Sequence, residues 1–222
     1  MAEPTIENWQ RADAYLADTL VGHDPALEAV LASEDREGLP RIEVAPVSGK
    51  LLNLLVRISG ARRVLEIGTL GGYSTIWMAR GVGADGHLVS IEAEPRNAAI
   101  ARGNIDAAGV GPRVDILIGR AADVLPTLEG TTPFDLVFID ADKESNTTYL
   151  DWAARLGRPG TVIVLDNVGR QGEIANSGST DPMVLGTRDA LAMLGSDPRF
   201  DATALQTVGL KGWDGVAIAL VV

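Results

Sequence analysis

The chain has 222 residues, the length of one large domain, and no cysteine, which excludes disulfides, thiolate metal sites and cysteine nucleophiles. Thirty acidic against nineteen basic residues give a formal net charge of −11, which repels phosphate backbones and anionic lipid surfaces and argues against nucleic-acid and membrane partners. The 46% hydrophobic share supplies a packed core, yet no apolar run approaches the ~20 residues of a membrane span and the opening residues carry no leader pattern, so a soluble cytoplasmic protein is expected.

Two amphipathic stretches open the chain, at about 6–20 and 25–36, the second with Asp24 as cap and Pro25 in its first turn. Leu39-Pro40 breaks it, and 50–58 is predicted as a third helix with a broad apolar face. Residues 1–60 are thus expected to be a helical cover and 61–222 the core of a single domain. From there strands alternate with helices: strand 64–67, helix 74–80, strand 88–91, helix 96–108, strand 114–118, a short helix at 122–128 interrupted by Pro126, strand 134–139, helix 144–156 and strand 161–165. The strands are almost wholly apolar, which indicates a mainly parallel sheet covered on both faces. A helix near 184–194 and strands at 200–207 and 216–221 then predict an antiparallel hairpin at one sheet edge.

Ligands in open α/β sheets bind beyond the carboxyl ends of the strands. Here the apolar runs close on Glu66 and Gly68, on Glu92, on Asp140, and on Asp166-Asn167. Any one of these acids could cap a strand end; four along one sheet edge favour a site, because a lone buried carboxylate is costly. The segment Gly68-Thr69-Leu70-Gly71-Gly72-Tyr73-Ser74 lets backbone approach a ligand before the helix starts, but it lacks the glycine at position 70 that the dinucleotide fingerprint requires. Glu92 suits the ribose hydroxyls of an adenosine-type ligand, and an acidic pocket suits a cation better than a pyrophosphate, which points to the sulfonium of S-adenosylmethionine. Asp140, Asp166 and Asn167 form an all-oxygen set of the kind that hard divalent ions prefer. Lys143, three residues after Asp140, is a candidate general base, though a surface lysine paired with Asp142 or Glu144 is the plain alternative. His23 and His87 receive no catalytic role, and Trp9, Trp77, Trp152 and Trp213 are assigned to packing, with Trp213 in a loop that could line a pocket.

Three segments together resemble the cation-dependent class I O-methyltransferases, the group that includes catechol and caffeoyl-CoA O-methyltransferases: Val64-Leu-Glu-Ile-Gly-Thr-Leu-Gly-Gly-Tyr-Ser74, Phe138-Ile-Asp-Ala-Asp-Lys143 and Val164-Leu-Asp-Asn-Val168, with Asp214-Gly215-Val216 similar to the family's final strand entry. The resemblance runs from about residue 41 to the C-terminus. It implies a Rossmann-like methyltransferase fold with a seven-stranded sheet, S-adenosylmethionine as donor (S-adenosylhomocysteine as product), a phenolic or catechol acceptor, and Mg²⁺ or another hard cation such as Mn²⁺ or Ca²⁺. By position it implies metal ligands Asp140, Asp166 and Asn167, general base Lys143, and a cofactor site of Val44, Glu66, Gly68, Thr69, Ser74, Glu92, Ala121 and Asp142. A homodimer through the N-terminal helices is also expected of a family member. After Asp166-Asn167 the chain reads Val168-Gly169-Arg170-Gln171-Gly172, without the family's frequent Leu-Trp, so acceptor preference is left open. A nicotinamide-dependent oxidoreductase and a non-catalytic ligand-binding regulator remain the alternatives from the residues alone.

Overall fold

The computed structural model describes residues 5–222; the leader reading of the first four residues lies outside the described residues. Strands β1 (Arg63–Ile67), β2 (His87–Glu92), β3 (Val114–Ile118), β4 (Leu136–Ile139), β5 (Val162–Asp166), β6 (Phe200–Gly209) and β7 (Gly212–Val221) form one sheet in the order β3-β2-β1-β4-β5-β7-β6. The first five are parallel, and β7 runs antiparallel to both β5 and β6. Helices α1 (Ile6–Leu16), α2 (Pro25–Glu37), α3 (Pro46–Ile58), α4 (Tyr73–Gly81), α5 (Pro95–Ala107), α6 (Ala121–Val124), α7 (Asn146–Leu156) and α8 (Pro182–Ser196) surround it.

The two-residue period of a strand sorts its side chains between two cores. Along β4, Leu136 and Phe138 enter the core built with α2, α3, α4 and α5, while Val137 and Ile139 enter the one built with α7 and α8. Asp24 starts α2 as expected, its Oδ1 accepting the amides of Ala26 and Leu27 at 3.1 and 3.2 Å, and it also pairs with Arg80 of α4 at 2.5 Å. The cover is thereby tied to the core at the helix end it caps.

Several expected boundaries move for identifiable reasons. The first helix ends at Leu16 and continues as a single π turn, Ala17–Val21. The third begins four residues early at Pro46, whose missing N–H costs nothing at a first helical position. Pro126 turns the end of the short helix into a 3₁₀ turn, Leu125–Leu128, and another 3₁₀ turn, Lys143–Ser145, precedes α7. Phe134 and Asp135 lie outside β4, where the Asp135 carboxylate instead accepts the amides of Arg62 and Arg63. The hairpin is longer than predicted: β7 begins at Gly212, so Trp213 lies in a strand, not in a loop, and only Leu210 and Lys211 make the turn. Asp13 of α1 accepts the Leu210 amide at 2.8 Å and holds that turn against the N-terminal helix. Among the described residues no helix is long and apolar enough to cross a membrane.

Candidate active site

The strand order reverses between β1 and β4, and such a switch point opens a crevice at the strands' carboxyl ends. β1 leaves the sheet through Gly68, whose φ is +100° and whose position would bring a Cβ within 2.1 Å of the Asp140 carbonyl oxygen. Only glycine permits the chain to pass β4 this closely. The turn then takes Leu70 through φ +50°, and the Glu92 carboxylate collects its amides: Oε2 accepts from Thr69 at 3.2 Å and Leu70 at 2.8 Å, and Oε1 from Glu94 at 3.0 Å. Glu92 thus bridges the tips of β1 and β2, with a long 3.5 Å contact to Asn97 as its weakest.

Glu66 is placed differently from the other acids. It sits one residue short of the end of β1, on the face that packs on α4, and is fully buried. Its carboxylate accepts hydroxyl hydrogen bonds from Ser74 and Ser90 at 2.6 Å and Thr75 at 2.5 Å. Burial pushes this carboxyl up to about 7 in spite of the three hydroxyls.

At the tips of β4 and β5 stand Asp140 and the Asp166-Asn167 pair. The Lys143 ammonium, 3% exposed, lies 2.8 Å from Asp140 Oδ1. Burial first, and then the Asp140 charge, raise the Asp166 carboxyl, with Lys143 opposing. Two carboxylates against one ammonium leave the cluster short of positive charge. Asn167 adds an amide oxygen on a strained left-handed backbone, φ +59°. Among the described residues no group of three or more His, Cys, Asp or Glu that could hold a metal is gathered; the set expected from the sequence, Asp140, Asp166 and Asn167, would offer two carboxylates and one amide oxygen. All-oxygen, anionic and under-neutralised, it fits a hard divalent cation with open positions for water or substrate. Next to it, Asp142 accepts a hydrogen bond from the Tyr149 hydroxyl at 2.5 Å; burial works to raise its carboxyl, but bonds from Ser145 and Tyr149 outweigh that and hold it below the usual range.

One cavity of about 650 Å³ joins these parts. Ten of the residues singled out in the sequence line it: Val44, Gly68, Thr69, Ser74, Glu92, Ala121, Asp140, Asp142, Lys143 and Asn167. Glu66 and Asp166 are not among the lining residues; Glu66 meets it through Ser74 and Asp166 through its neighbour Asn167. The sequence did not single out Met183, Tyr149, Asn97 or Glu34 as lining the cavity. Glu34 of α2 is 1% exposed, both its oxygens lack a hydrogen-bond partner among the described residues, and burial together with the Glu43 charge pushes its carboxyl up to about 7. A glutamate in an amphipathic helix gives no sign of this in the sequence, because the burial comes from the glycine turn packed against it at Gly71.

This strand order with its cavity at the switch point is that of the Rossmann-like methyltransferases. The profile of the O-methyltransferase family matches residues 19–220, and the chain belongs to that family. It is 57% identical to a catechol O-methyltransferase of Mycobacterium tuberculosis over 94% of each chain, and 49% identical to one of Niastella koreensis over 96% of this chain and 97% of that one. Among solved structures, an O-methyltransferase from Bacillus cereus in complex with SAH superposes with a TM-score of 0.96 at 49% identity, covering 98% of this chain and 100% of that one. The protein is an S-adenosylmethionine-dependent O-methyltransferase, which sets aside the oxidoreductase and regulator alternatives.

Proposed function

We propose that the enzyme moves the methyl group of S-adenosylmethionine to one hydroxyl of a catechol-like small molecule, with a divalent cation, Mg²⁺ by preference and Mn²⁺ or Ca²⁺ as substitutes. The observation that carries this reading is the sharing of one cavity by the Glu92-braced glycine turn and the Asp140–Lys143–Asn167 group. The names of the two curated relatives support the acceptor class. Asp140, Asp166 and Asn167 would hold the cation, which supplies Lewis acidity toward a vicinal diol. Val44, Gly68, Thr69, Ser74, Glu92, Ala121 and Asp142 would surround the donor. Glu92 takes the ribose hydroxyls by yielding its long Asn97 contact, and Glu66 orients the Ser74 hydroxyl.

Lys143 Nζ, acting as the neutral amine after giving up its ammonium proton to solvent, then receives the proton of the reacting hydroxyl. The oxygen's electron pair forms the new O–CH₃ bond as the S–CH₃ bond breaks, its pair staying on sulfur. Lys143 is well placed for this, since its buried stem and its contact to Asp140 fix the nitrogen inside the cavity. Proximity and exclusion of water do the rest, because charge is neutralised as the methyl transfers.

The deciding experiment is a methyl-transfer assay with labelled S-adenosylmethionine on di- and trihydroxylated phenols, with each metal and with chelator. Metal-dependent methylation of vicinal diols, and its loss by at least about 10³-fold in Asp140→Ala with the fold retained, are expected. Full activity of that variant in excess chelator would reject the metal reading. A cytoplasmic location and a homodimer through the N-terminal helices belong to the same proposal; Ile6, Tyr15, Leu16 and Leu20 expose apolar surface there, and sedimentation reads the assembly.

A further inference from the structure

All four non-glycine residues with left-handed backbone among the described residues border the cavity's two loops: Leu70 on one side, and Asn167, Arg170 and Gln171 on the other. Strain of this kind persists only where the surroundings enforce it. At the second loop the enforcing group is Asp214 of β7, whose Oδ1 accepts the amides of Gly169, Arg170 and Gly215 at 2.9, 3.0 and 2.9 Å. That carboxylate is spent on backbone, and among the described residues it pairs with no side chain.

The loop turns the Arg170 side chain into the cavity that Asp140, Lys143 and Asn167 also line. There the guanidinium is nearly without partners. Its Nη2 reaches the thioether of Met183 at 3.5 Å, a weak acceptor, and its buried Nε has no hydrogen-bond partner among the described residues. Among the described residues no carboxylate forms an ion pair with it, although most arginines of the chain have one. A half-buried guanidinium at a cavity wall, its Nη edge met only by a thioether among the described residues, matches a planar carboxylate, to which Nη1 and Nη2 can offer two N–H···O bonds. A phosphate fits less well, because Asp140, Asp142 and Glu92 line the same cavity and would oppose a second negative charge.

We infer that Arg170 is a specificity-determining residue which selects acceptors carrying a carboxylate on or near the dihydroxylated ring. This inference rests on the catechol reading of the same site, with the diol at the Asp140 end and the acid group at the Arg170 end. The acidic surface of the whole chain does not prevent it, since a short charge-assisted contact inside a cavity is screened far less than a surface field.

The test compares kcat/KM for 3,4-dihydroxybenzoate, its neutral methyl ester, catechol and the ammonium-bearing 3,4-dihydroxyphenethylamine. The wild type is expected to favour the acid over the ester by about ten- to hundredfold, the range of a hydrogen bond to a charged group. Arg170→Met should bring that ratio close to one, Arg170→Lys should keep part of it, and Arg170→Glu should shift preference toward the ammonium compound. Equal treatment of acid and ester by the wild type, or an unchanged ratio in Arg170→Met, overturns the inference. If no catechol is methylated at all, the catechol reading fails. Calorimetric binding of acid against ester to the SAH-loaded wild type and Arg170→Met then decides the role of Arg170 separately: selective binding lost in the variant supports it, and equal binding rejects it.

Discussion

Lys143 and Glu66 are both buried ionisable residues of this site, and their surroundings divide their tasks. Glu66 is enclosed by three hydroxyls and meets no cation, so it acts as a brace that sets the Ser74 rotamer. Lys143 meets one carboxylate oxygen and lines the cavity, which is why the proposed mechanism assigns the proton transfer to its nitrogen. Replacing Lys143 by alanine is therefore expected to lower kcat by about 10²- to 10⁴-fold, the usual contribution of a general base, while calorimetry finds SAH affinity changed less than about threefold. A variant with wild-type kcat would remove Lys143 from the proton transfer. One with normal kcat but weakened SAH binding would reassign it to the donor site.

At the scale of the elements, the site depends on how closely two strand ends can pass. Gly68 and Gly60 both have positive φ, +100° and +66°, yet a Cβ at Gly60 would meet nothing within 4 Å, whereas at Gly68 it would strike the Asp140 carbonyl. Gly60→Ala then measures backbone strain alone, about 1 kcal/mol. Gly68→Ala adds displacement of the β4 tip, so urea denaturation is expected to find it at least about 2 kcal/mol less stable than the Gly60 variant, with SAH binding weakened more than tenfold. Equal losses in the two would mean that the approach of β1 to β4 is not tight. The alternation of apolar runs and helices was enough to read the parallel sheet, its hairpin and the helical cover, because burial on both faces leaves the strands few polar positions. The motifs likewise brought part of the cavity lining into view, eleven of its 27 residues. What escaped depended on register and on contacts distant in sequence. Glu66 faces α4 because it follows Val64 by two residues, and Trp213 joins a strand because β6 pairs with β7 down to Gly209 and Gly212. Arg170 is aimed by Asp214, forty-four residues away.

Across the molecule, a few carboxyls are moved from their ordinary values, and in opposite directions. Asp24, through its bond to Arg80, and Asp142 lie below the ordinary aspartate value of 3.8, so they stabilise the fold above that pH and lose the contribution only in acid. Glu34 and Glu66 lie above the ordinary glutamate value of 4.5, at about 7. For them the native state keeps a proton that the unfolded chain releases, so stability falls as pH rises from about 4.5 to about 7 and levels off beyond. Each such shift amounts to at most about 3 kcal/mol. Thermal melts in chelator and constant salt, from pH 5.5 to 8 so as to stay above the isoelectric point near 4.6, should therefore give the highest midpoint at the acid end. Glu34→Gln removes one of the two titrations and fills the same space with a neutral amide. Its midpoint should exceed that of the wild type by several degrees at pH 8 and by much less at pH 5.5, because the wild-type carboxyl is already protonated there. A midpoint that climbs with pH in the wild type, or a Glu34→Gln gain equal at both ends of the range, would show that Glu34 is ionised in the native protein and that a cation or a donor in the cavity wall meets it there.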